Sequence, residues 1–311
     1  MHFLIIGPGA MGTLFSVRLT RAGHRVTLLD YKADRAEFIR KNGLRMEGLT
    51  QEAGVHIPAV TTAISDPIDV VLVCVKSTQT QTVAREIADW LPPEADILTL
   101  QNGLGNIETL GSLLGKDRVF GGVTSEGATL IGTGHARHAG KGETFIGPAT
   151  PNPKNEVSIQ KMVAAFQDAG FHTQATDEVE GLIWGKLIVN VGINALCAIT
   201  GLKNGRLIEI ASTKTLMEMA VAEAVEIVKA KDIRLPYEDP LKRVIHVCRA
   251  TADNVASMLQ DVLAKKPTEV RFINGAIVRE GEKLKIPAPV NSTLTRLVET
   301  LQETYDERLM K

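Results

Sequence analysis

Short apolar runs alternate with amphipathic stretches through the first half of the chain, and this is the pattern of strands that alternate with helices. The clearest predicted strands are His2–Ile6, Arg25–Asp30, Val70–Lys76, Ile97–Leu100 and Val119–Val123. Between the first two, Met11–Ala22 has a helical pattern that Gly23 closes. A strand, helix and strand of this length predict a mostly parallel sheet with helices on both faces.

The pattern changes after these strands. Gly121–Gly147 is rich in Gly, Thr and His with hints of alternation, so we expect strands there that extend the sheet, Thr144–Ile146 among them. A helix at Lys161–Ala169 and a last strand at His172–Ala175 are predicted next. The predicted sheet domain therefore covers residues 1–176.

Beyond Asp177 the sequence shows only helical patterns. They cover Glu180–Ile199, Arg206–Lys231, Leu241–Leu263, Glu269–Glu282 and Val290–Leu309. We therefore predict an α/β protein in which an all-helical domain at residues 177–311 follows the sheet domain. The length of 311 residues agrees with two domains, because it exceeds what one hydrophobic core usually holds.

Composition and charge exclude several classes of protein. Apolar residues make up 44% of the chain and no run approaches about 18 of them, so we expect a soluble protein with no membrane partner. A net charge of -1 leaves no positive field for nucleic acid. Cys74, Cys197 and Cys248 are widely separated and flanked by apolar residues, which favours buried free thiols and no metal site. The amino-terminal segment is too short for a signal sequence, which favours the cytoplasm, and the oligomeric state stays open, a homodimer included.

A glycine-rich turn joins the first predicted strand to the first predicted helix. It consists of Gly7, Pro8, Gly9, Ala10, Met11 and Gly12. Gly7 permits the tight turn, Gly9 lets the backbone approach a pyrophosphate, and Gly12 lets the helix pack against the strand. A turn without a ligand is the alternative, but a glycine inside a helix lowers stability by about 1 kcal/mol relative to alanine. The turn therefore predicts a Rossmann-type domain that binds a dinucleotide.

Asp30 ends the second predicted strand, where an acidic side chain usually binds the adenosine ribose hydroxyls. A carboxylate there repels a 2′-phosphate and favours NADH. Lys32 and Arg35 follow at once and could neutralise the carboxylate or hold a phosphate, which favours NADPH. A solvated charge at the strand end is the remaining interpretation.

Three polar residues lie on an otherwise apolar predicted helix. Lys186, Asn190 and Asn194 follow each other at i, i+4 spacing, which places them on one narrow face. An ammonium seldom enters an interior without a partner or a role. The functional interpretation is a cleft wall in which the lysine faces a carbonyl. The alternative is that the two asparagines form hydrogen bonds with neighbouring helices, while the lysine extends from the end of the helix so that its ammonium reaches solvent.

Further polar residues stand at positions that suit ligand binding. Asn254, Ser257, Gln260 and Asp261 cluster in one predicted helix, and Glu269 opens the next. In the first half, Lys76, Gln79 and Gln101-Asn102-Gly103 lie just past strand ends, where parallel sheets bind ligands. Each residue taken singly could equally be a cap or loop residue.

With these residues in view, the chain closely resembles the ketopantoate reductase (2-dehydropantoate 2-reductase) family over nearly its whole length. The resemblance rests on the glycine turn, on Lys76-Ser77-Thr78-Gln79, on Gln101-Asn102-Gly103, on Trp184-Gly185-Lys186-Leu187 with Asn190 and Asn194, and on Asn254–Asp261 leading to Glu269 and Ile273-Asn274-Gly275. The glycine turn is shared by many dehydrogenases, whereas the lysine and asparagine helix and the segment through Gln260-Asp261 are specific to this family.

The resemblance implies reduction of 2-dehydropantoate to pantoate in pantothenate synthesis, with hydride from a nicotinamide. It implies that Lys186 polarises the keto group and gives it a proton, a role that suits an ammonium, since the ordinary pKa of a lysine is about 10.4. Family positions further imply that Asn102 and Ser257 contact the small-molecule substrate and that Asn254 lies near its carboxylate. They place Asn190, Asn194 and Glu269 at its hydroxyl end, and Lys76, Gln79 and Asn102 beside the cofactor.

One residue departs from the family pattern. Members commonly place an arginine near the end of the second strand for the 2′-phosphate of NADPH, whereas this chain has Asp30. NADPH is the family expectation and NADH is its rival. Two other functions stay open, a reductase of another 2-keto or 3-hydroxy acid and a nucleotide sensor that binds the cofactor without turnover.

Overall fold

The computed structural model describes residues 1–49, 52–150, 152 and 155–307. The chain divides into two compact units; the first has two clusters of buried apolar side chains and the second has one. The first unit contains Met1–Gln101 and Asn106–Val179. The second contains the short loop Asn102–Gly105 and the chain from Glu180 onwards.

The first unit contains the strands β1 His2–Ile6, β2 Arg25–Leu29, β3 Leu44–Gly48, β4 Ala53–Val55, β5 Ala59–Val60, β6 Val70–Val73, β7 Asp96–Thr99, β8 Val119–Thr124, β9 Gly127–Gly132, β10 His135–Gly140, β11 Glu143–Pro148 and β12 His172–Ala175. Its helices are α1 Ala10–Arg21, α2 Ala33–Asn42, α3 Thr80–Ala88, α4 Asn106–Leu114 and α5 Glu156–Asp168.

Eight of these strands form one sheet in the order β12-β11-β8-β7-β6-β1-β2-β5. The strands from β8 to β5 pair in parallel, and only the pair of β11 with β8 is antiparallel. All residues of β1 and β6 are buried, which explains why their sequences are continuous apolar runs. The predicted mostly parallel sheet is confirmed.

The expectation that Gly121–Gly147 extends this sheet is correct only for β8 and β11. The two strands between them, β9 and β10, form a second sheet in the order β4-β3-β10-β9. In β10 the buried Ala136 and His138 alternate with exposed residues, because one face covers α1 and the other faces solvent. Pairing of β10 with β3 joins segments about ninety residues apart, which the local pattern alone does not reveal.

The described part of the second unit is entirely helical apart from its loops, as predicted. Its helices are α6 Val179–Thr200, α7 Arg206–Glu209, α8 Ala211–Ala230, α9 Pro240–Ala250, α10 Ser257–Leu263, α11 Asn274–Leu284 and α12 Pro289–Glu303. Two predicted helices are interrupted: Ile210 is extended between α7 and α8, and residues 251–256 separate α9 from α10. Only a 3₁₀ turn, Val270–Phe272, precedes α11, and the predicted end at Leu309 lies outside the described residues.

Helix α6 is the longest of the described helices, with 22 residues. It is long and apolar enough to cross a membrane, yet 67% of its most apolar window is buried inside the protein. Three glycines let neighbours approach closely: a Cβ would lie 2.2 Å from the Arg234 carbonyl at Gly181, 2.9 Å from Pro236 at Gly185 and 2.8 Å from Val244 at Gly192. The glycine face of α6 is therefore packed against its neighbours.

Candidate active site

The glycine turn is held by close backbone packing. Gly7 has a φ of +101°, and a Cβ there would lie 2.8 Å from Val75 Cγ1. The Gly7 N–H donates to the Leu29 carbonyl of β2 at 3.0 Å. A Cβ at Gly12 would lie 2.0 Å from the Gly7 carbonyl oxygen, so α1 can pack this close to β1 only with glycine there. Pro8 is buried.

Gly9 is in a different environment, because nothing in its unit lies nearer to a Cβ position than the Cys74 carbonyl at 4.0 Å. It precedes α1 in extended backbone with no side chain capping the helix. The first N–H groups of a helix have no intrahelical partner, and Ala10 and Met11 are partly exposed. Open space beside free N–H groups at a helix amino terminus fits a pyrophosphate.

Asp30 directly follows β2, and its side chain is fully buried. Both its carboxylate oxygens accept from the Arg35 guanidinium, Oδ1 from Nη2 at 2.5 Å and Oδ2 from Nε. This hydrogen bond is the main cause that raises the pKa of Arg35 above its usual value. The Arg35 guanidinium carbon and Lys32 Nζ lie 5.4 and 5.8 Å from the centre of the exposed Tyr31 ring. Asp30 is therefore not a solvated charge, and two cationic side chains, the exposed Lys32 and the partly exposed Arg35, follow it in the chain.

A hydrogen-bond network braces the chain where β6 and β7 end. Gln101 Nε2 donates to the Val75 carbonyl at 2.7 Å and to Thr80 Oγ1 at 2.9 Å. The Thr80 hydroxyl donates to Asn106 Oδ1 at 2.8 Å, and Asn106 Nδ2 donates to Ser77 Oγ at 3.1 Å. The network holds the 3₁₀ turn Ser77–Gln79, which the half-buried Lys76 precedes.

Thr80 and Asn106 of this network were missed in the sequence. Both are polar first residues of helices, α3 and α4, that begin soon after strand ends. Their position near the carboxyl ends of parallel strands was a signal that could have identified them.

Asn102 lies on the loop Asn102–Gly105, which packs within the second unit. The Leu104 N–H donates to the Phe272 carbonyl at 2.9 Å. Gly103 has a φ of +85°, and a Cβ there would lie 2.4 Å from the same carbonyl oxygen. The loop that carries Asn102 is thus fixed to the turn that follows Glu269.

Lys186, Asn190 and Asn194 form one stripe along α6, about 160° around the helix from its glycine face at 100° per residue. Asn194 is 5% exposed, and Asn190 is partly exposed. Neither asparagine side chain hydrogen bonds to any residue that the structure describes. The interpretation in which these amides bond neighbouring helices therefore finds no support, and their donors and acceptors are available to a ligand.

Lys186 is only partly exposed, and Glu269 is 7% exposed. Burial disfavours the charged ammonium and lowers the pKa of Lys186 to about 8, although the nearby charge of Glu269 acts in the opposite direction. A lysine in this setting holds its proton at neutral pH and releases it more readily than an exposed lysine. It is therefore suited to proton donation.

The other predicted site residues lie on and beside α10. Asn254 lies in the exposed loop before α10, and Ser257 is the exposed first residue of that helix. Gln260 Nε2 donates to the Val255 carbonyl at 2.8 Å, so its amide serves the local backbone. Asp261 is 9% exposed. Among the predicted site residues, the structure brings Lys186 near the Glu269 carboxylate, and it fixes the Asn102 loop to the turn after Glu269.

Comparison with known proteins agrees with these features. Residues 3–151 match the family described as ketopantoate reductase PanE/ApbA, and residues 178–302 match the description of its C-terminal part. A 2-dehydropantoate 2-reductase of Archaeoglobus fulgidus is 37% identical over 94% of this chain and 95% of its own. The Halobacterium salinarum protein of the same name is 35% identical over 97% and 99%.

Solved structures give the same result. A PanE/ApbA family ketopantoate reductase from Ralstonia eutropha has a TM-score of 0.90 at 34% identity and covers 98% of this chain and 99% of its own. D-Mandelate dehydrogenase, solved with NADH and anilino(oxo)acetate, has a TM-score of 0.90 at 25% identity, with 98% and 100% covered. From its family matches and its relatives, this chain belongs to the ketopantoate reductase family.

Proposed function

We propose that this chain reduces 2-dehydropantoate to pantoate with a reduced nicotinamide cofactor. The observation that carries the proposal is the Lys186 ammonium, whose pKa burial lowers to about 8. Its helix also presents the amides of Asn190 and Asn194, which have no hydrogen-bond partner among the described residues. Relatives that share about a third of its residues over nearly the full length bear the name of this activity. The balanced reaction consumes one keto acid, one reduced nicotinamide and one proton.

We propose a division of labour in which residues 1–176 bind the cofactor and residues 177–311 carry the group that acts on the substrate. Gly7, Pro8, Gly9, Ala10, Met11 and Gly12 would hold the pyrophosphate on backbone N–H groups, with Lys76, Gln79 and Asn102 as further contacts. When bound, the nicotinamide supplies the hydride to the keto carbon.

The second unit supplies the proton and binds the substrate. Lys186 Nζ polarises the keto oxygen and donates the proton to it as negative charge grows there. The amides of Asn190 and Asn194 and the carboxylate of Glu269 bind the hydroxyl end, where a carboxylate accepts a hydroxyl hydrogen. Asn254 and Ser257 lie towards the substrate carboxylate, and Asn102 contacts the substrate from its loop.

The cofactor choice follows from the neighbourhood of Asp30. Arg35 neutralises that buried carboxylate, and Arg35 and Lys32 present positive charge beside it. We propose that this arrangement favours NADPH over NADH, because a 2′-phosphate meets cations and not a bare carboxylate.

Arg35→Ala is expected to lower kcat/KM for NADPH by about tenfold to a hundredfold, the usual effect of removing a hydrogen bond to a charged group. The value for NADH should change little. The ratio of the two values, measured on one sample, does not depend on the folded fraction. Arg40→Ala, on the exposed side of the same helix, is the control. A wild-type preference for NADH, or an unchanged ratio in Arg35→Ala, would contradict this cofactor assignment.

The pH dependence of the reaction should report the Lys186 proton. Lys186 loses its proton as the pH rises through about 8, so kcat/KM for 2-dehydropantoate should fall through that range at saturating cofactor. Glu269→Gln removes a charge that raises the pKa of Lys186, so the midpoint should move to lower pH. A midpoint that stays in place or moves upwards in Glu269→Gln would show that the titrating group is not a lysine beside Glu269.

The two glycines of the Asn102 loop provide a matched pair. Gly103→Ala places a methyl group against the Phe272 carbonyl and should break its bond with Leu104, raising KM for 2-dehydropantoate roughly tenfold to a hundredfold. Gly105→Ala imposes similar backbone strain, at a φ of +100°, with nothing within 4 Å of the new Cβ. Steady-state kinetics of both variants should show the large KM increase in the first alone. Equal KM values would show that the contact of this loop with Phe272 does not affect substrate binding.

A second candidate function is suggested by the likeness to D-mandelate dehydrogenase. That likeness favours reduction of a 2-keto acid with an aromatic side chain. Oxidation of the reduced cofactor should be followed by absorbance with 2-dehydropantoate and with phenylglyoxylate, the keto acid that corresponds to mandelate. The proposed function requires a higher kcat/KM for 2-dehydropantoate, and a higher value for phenylglyoxylate would replace it with the second candidate.

A further inference from the structure

A cavity of 310 Å³ opens at the carboxyl end of α1, within the first unit. Arg18, Arg21, Lys141 and Asp168 are the charged residues on its surface, and His138 stands in its wall. Because α1 has 12 residues, the cavity lies about 18 Å along the helix from the glycine turn. It is therefore separate from the proposed pyrophosphate contacts.

The Arg18 guanidinium is fixed in place beside this cavity. Its Nε donates to the Ala169 carbonyl at 2.7 Å, and its guanidinium carbon lies 4.6 Å from the centre of the Phe171 ring. Nη1 and Nη2 have no hydrogen-bond partner among residues 1–49, 52–150, 152 and 155–307. A preorganised guanidinium with two unused nitrogens is the group that proteins use to bind carboxylate or phosphate in two-point contacts.

The buried carboxylate of Glu126, beside His138, is already engaged by other groups of the protein. Glu126 Oε2 lies 2.6 Å from His138 Nε2, and Oε1 accepts from the Gly142 N–H at 3.3 Å, with the Glu126 and His138 side chains buried. Burial lowers the pKa of Arg18; the charge of Glu126 opposes this only in part, and Arg21 adds to it. The positive charge of Arg18 is thus incompletely balanced by the protein.

The other charged residues on the cavity surface do not neutralise the positive charge of Arg18. Arg21, Lys141 and Asp168 are exposed, and none forms an ion pair with a described residue. Three cations therefore face the cavity with one carboxylate. Compensation of the α1 dipole accounts for basic residues in its last turn, but Lys141 comes from the turn after β10 and has no such role.

We propose that this cavity binds a small anion with two or more negative charges, with Arg18 as its fixed contact and Arg21 and Lys141 as its mobile contacts. Its volume is at the lower end of the range for small-molecule pockets, which suits a small phosphorylated or polycarboxylate metabolite. The site is independent of the proposed reductase activity.

Isothermal titration of the full-length protein with inorganic pyrophosphate, in the presence of excess NADPH to cover the glycine turn, tests the proposal. The double variant Arg21→Ala/Lys141→Ala should weaken binding about tenfold, since each exposed charge pair is worth up to about fivefold in affinity. Asp168→Asn, which removes the carboxylate, should tighten it about threefold.

The matched control is Arg40→Ala/Lys41→Ala, which removes the same charge from the exposed last turn of α2 and should leave the affinity unchanged. Citrate in place of pyrophosphate distinguishes carboxylate from phosphoryl ligands, and binding of either probe with this pattern supports the site. Three results would overturn the proposal: no binding of either probe, equal losses in the two double variants, or weaker binding by Asp168→Asn.

Discussion

Lys186→Ala is expected to lower kcat by about a hundredfold to ten-thousandfold, because the keto oxygen would lose the group that we propose protonates it. Cofactor affinity should stay unchanged, since Lys186 is not among the residues that we propose to contact the cofactor. Steady-state kinetics with 2-dehydropantoate, together with fluorescence titration of the reduced cofactor, would measure both quantities.

Two further observations separate a chemical role of Lys186 from a structural one. Lys229→Ala, at the exposed end of α8, removes a lysine from the same unit and should leave kcat unchanged. A small primary amine added to the Lys186→Ala protein should restore part of the rate, because it replaces the missing proton donor. A kcat close to the wild-type value in Lys186→Ala would remove this lysine from the mechanism.

Gly9→Leu is expected to weaken cofactor binding by more than about a hundredfold, because a side chain would occupy the space through which the backbone approaches the pyrophosphate. The fold should survive. Gly9 has φ -72° and ψ -173°, which any residue adopts, and the nearest atom of its unit to a Cβ is 4.0 Å away. Titration of the cofactor fluorescence and the Tm of the variant would measure the two effects separately.

Gly12→Leu is the contrasting variant. Its Cβ would lie 2.0 Å from the Gly7 carbonyl, so it should lower the Tm as well as the affinity. The pair therefore distinguishes loss of a ligand contact from loss of the fold. Normal cofactor binding by Gly9→Leu would place the dinucleotide elsewhere on the protein.

The elements that were predictable from the sequence are those whose local pattern matches their environment. Strands β1 and β6 are buried on both faces, so their apolar runs are continuous. The apolar character of α6 follows from its burial, and its polar stripe stood out because so few polar residues interrupt the helix. The glycine turn was recognisable because each of its glycines lacks a side chain for a separate steric reason.

The remaining features depend on contacts between distant residues. The sheet of β4, β3, β10 and β9 forms because its strands cover α1, and their short, glycine-containing sequences carry little signal on their own. The pairing of Asp30 with Arg35 is local, but the sequence left open whether Arg35 neutralises the carboxylate or holds a phosphate. The contact of Gly103 with Phe272 joins two segments that no spacing rule connects.

The most direct test is to incubate the purified protein with NADPH and 2-dehydropantoate and to quantify the product by mass spectrometry. We expect pantoate to appear in an amount equal to the NADPH consumed, and we expect Lys186→Ala to form almost none. Cofactor binding without any pantoate would contradict it and would leave a nucleotide-binding protein with no reductase activity towards this keto acid.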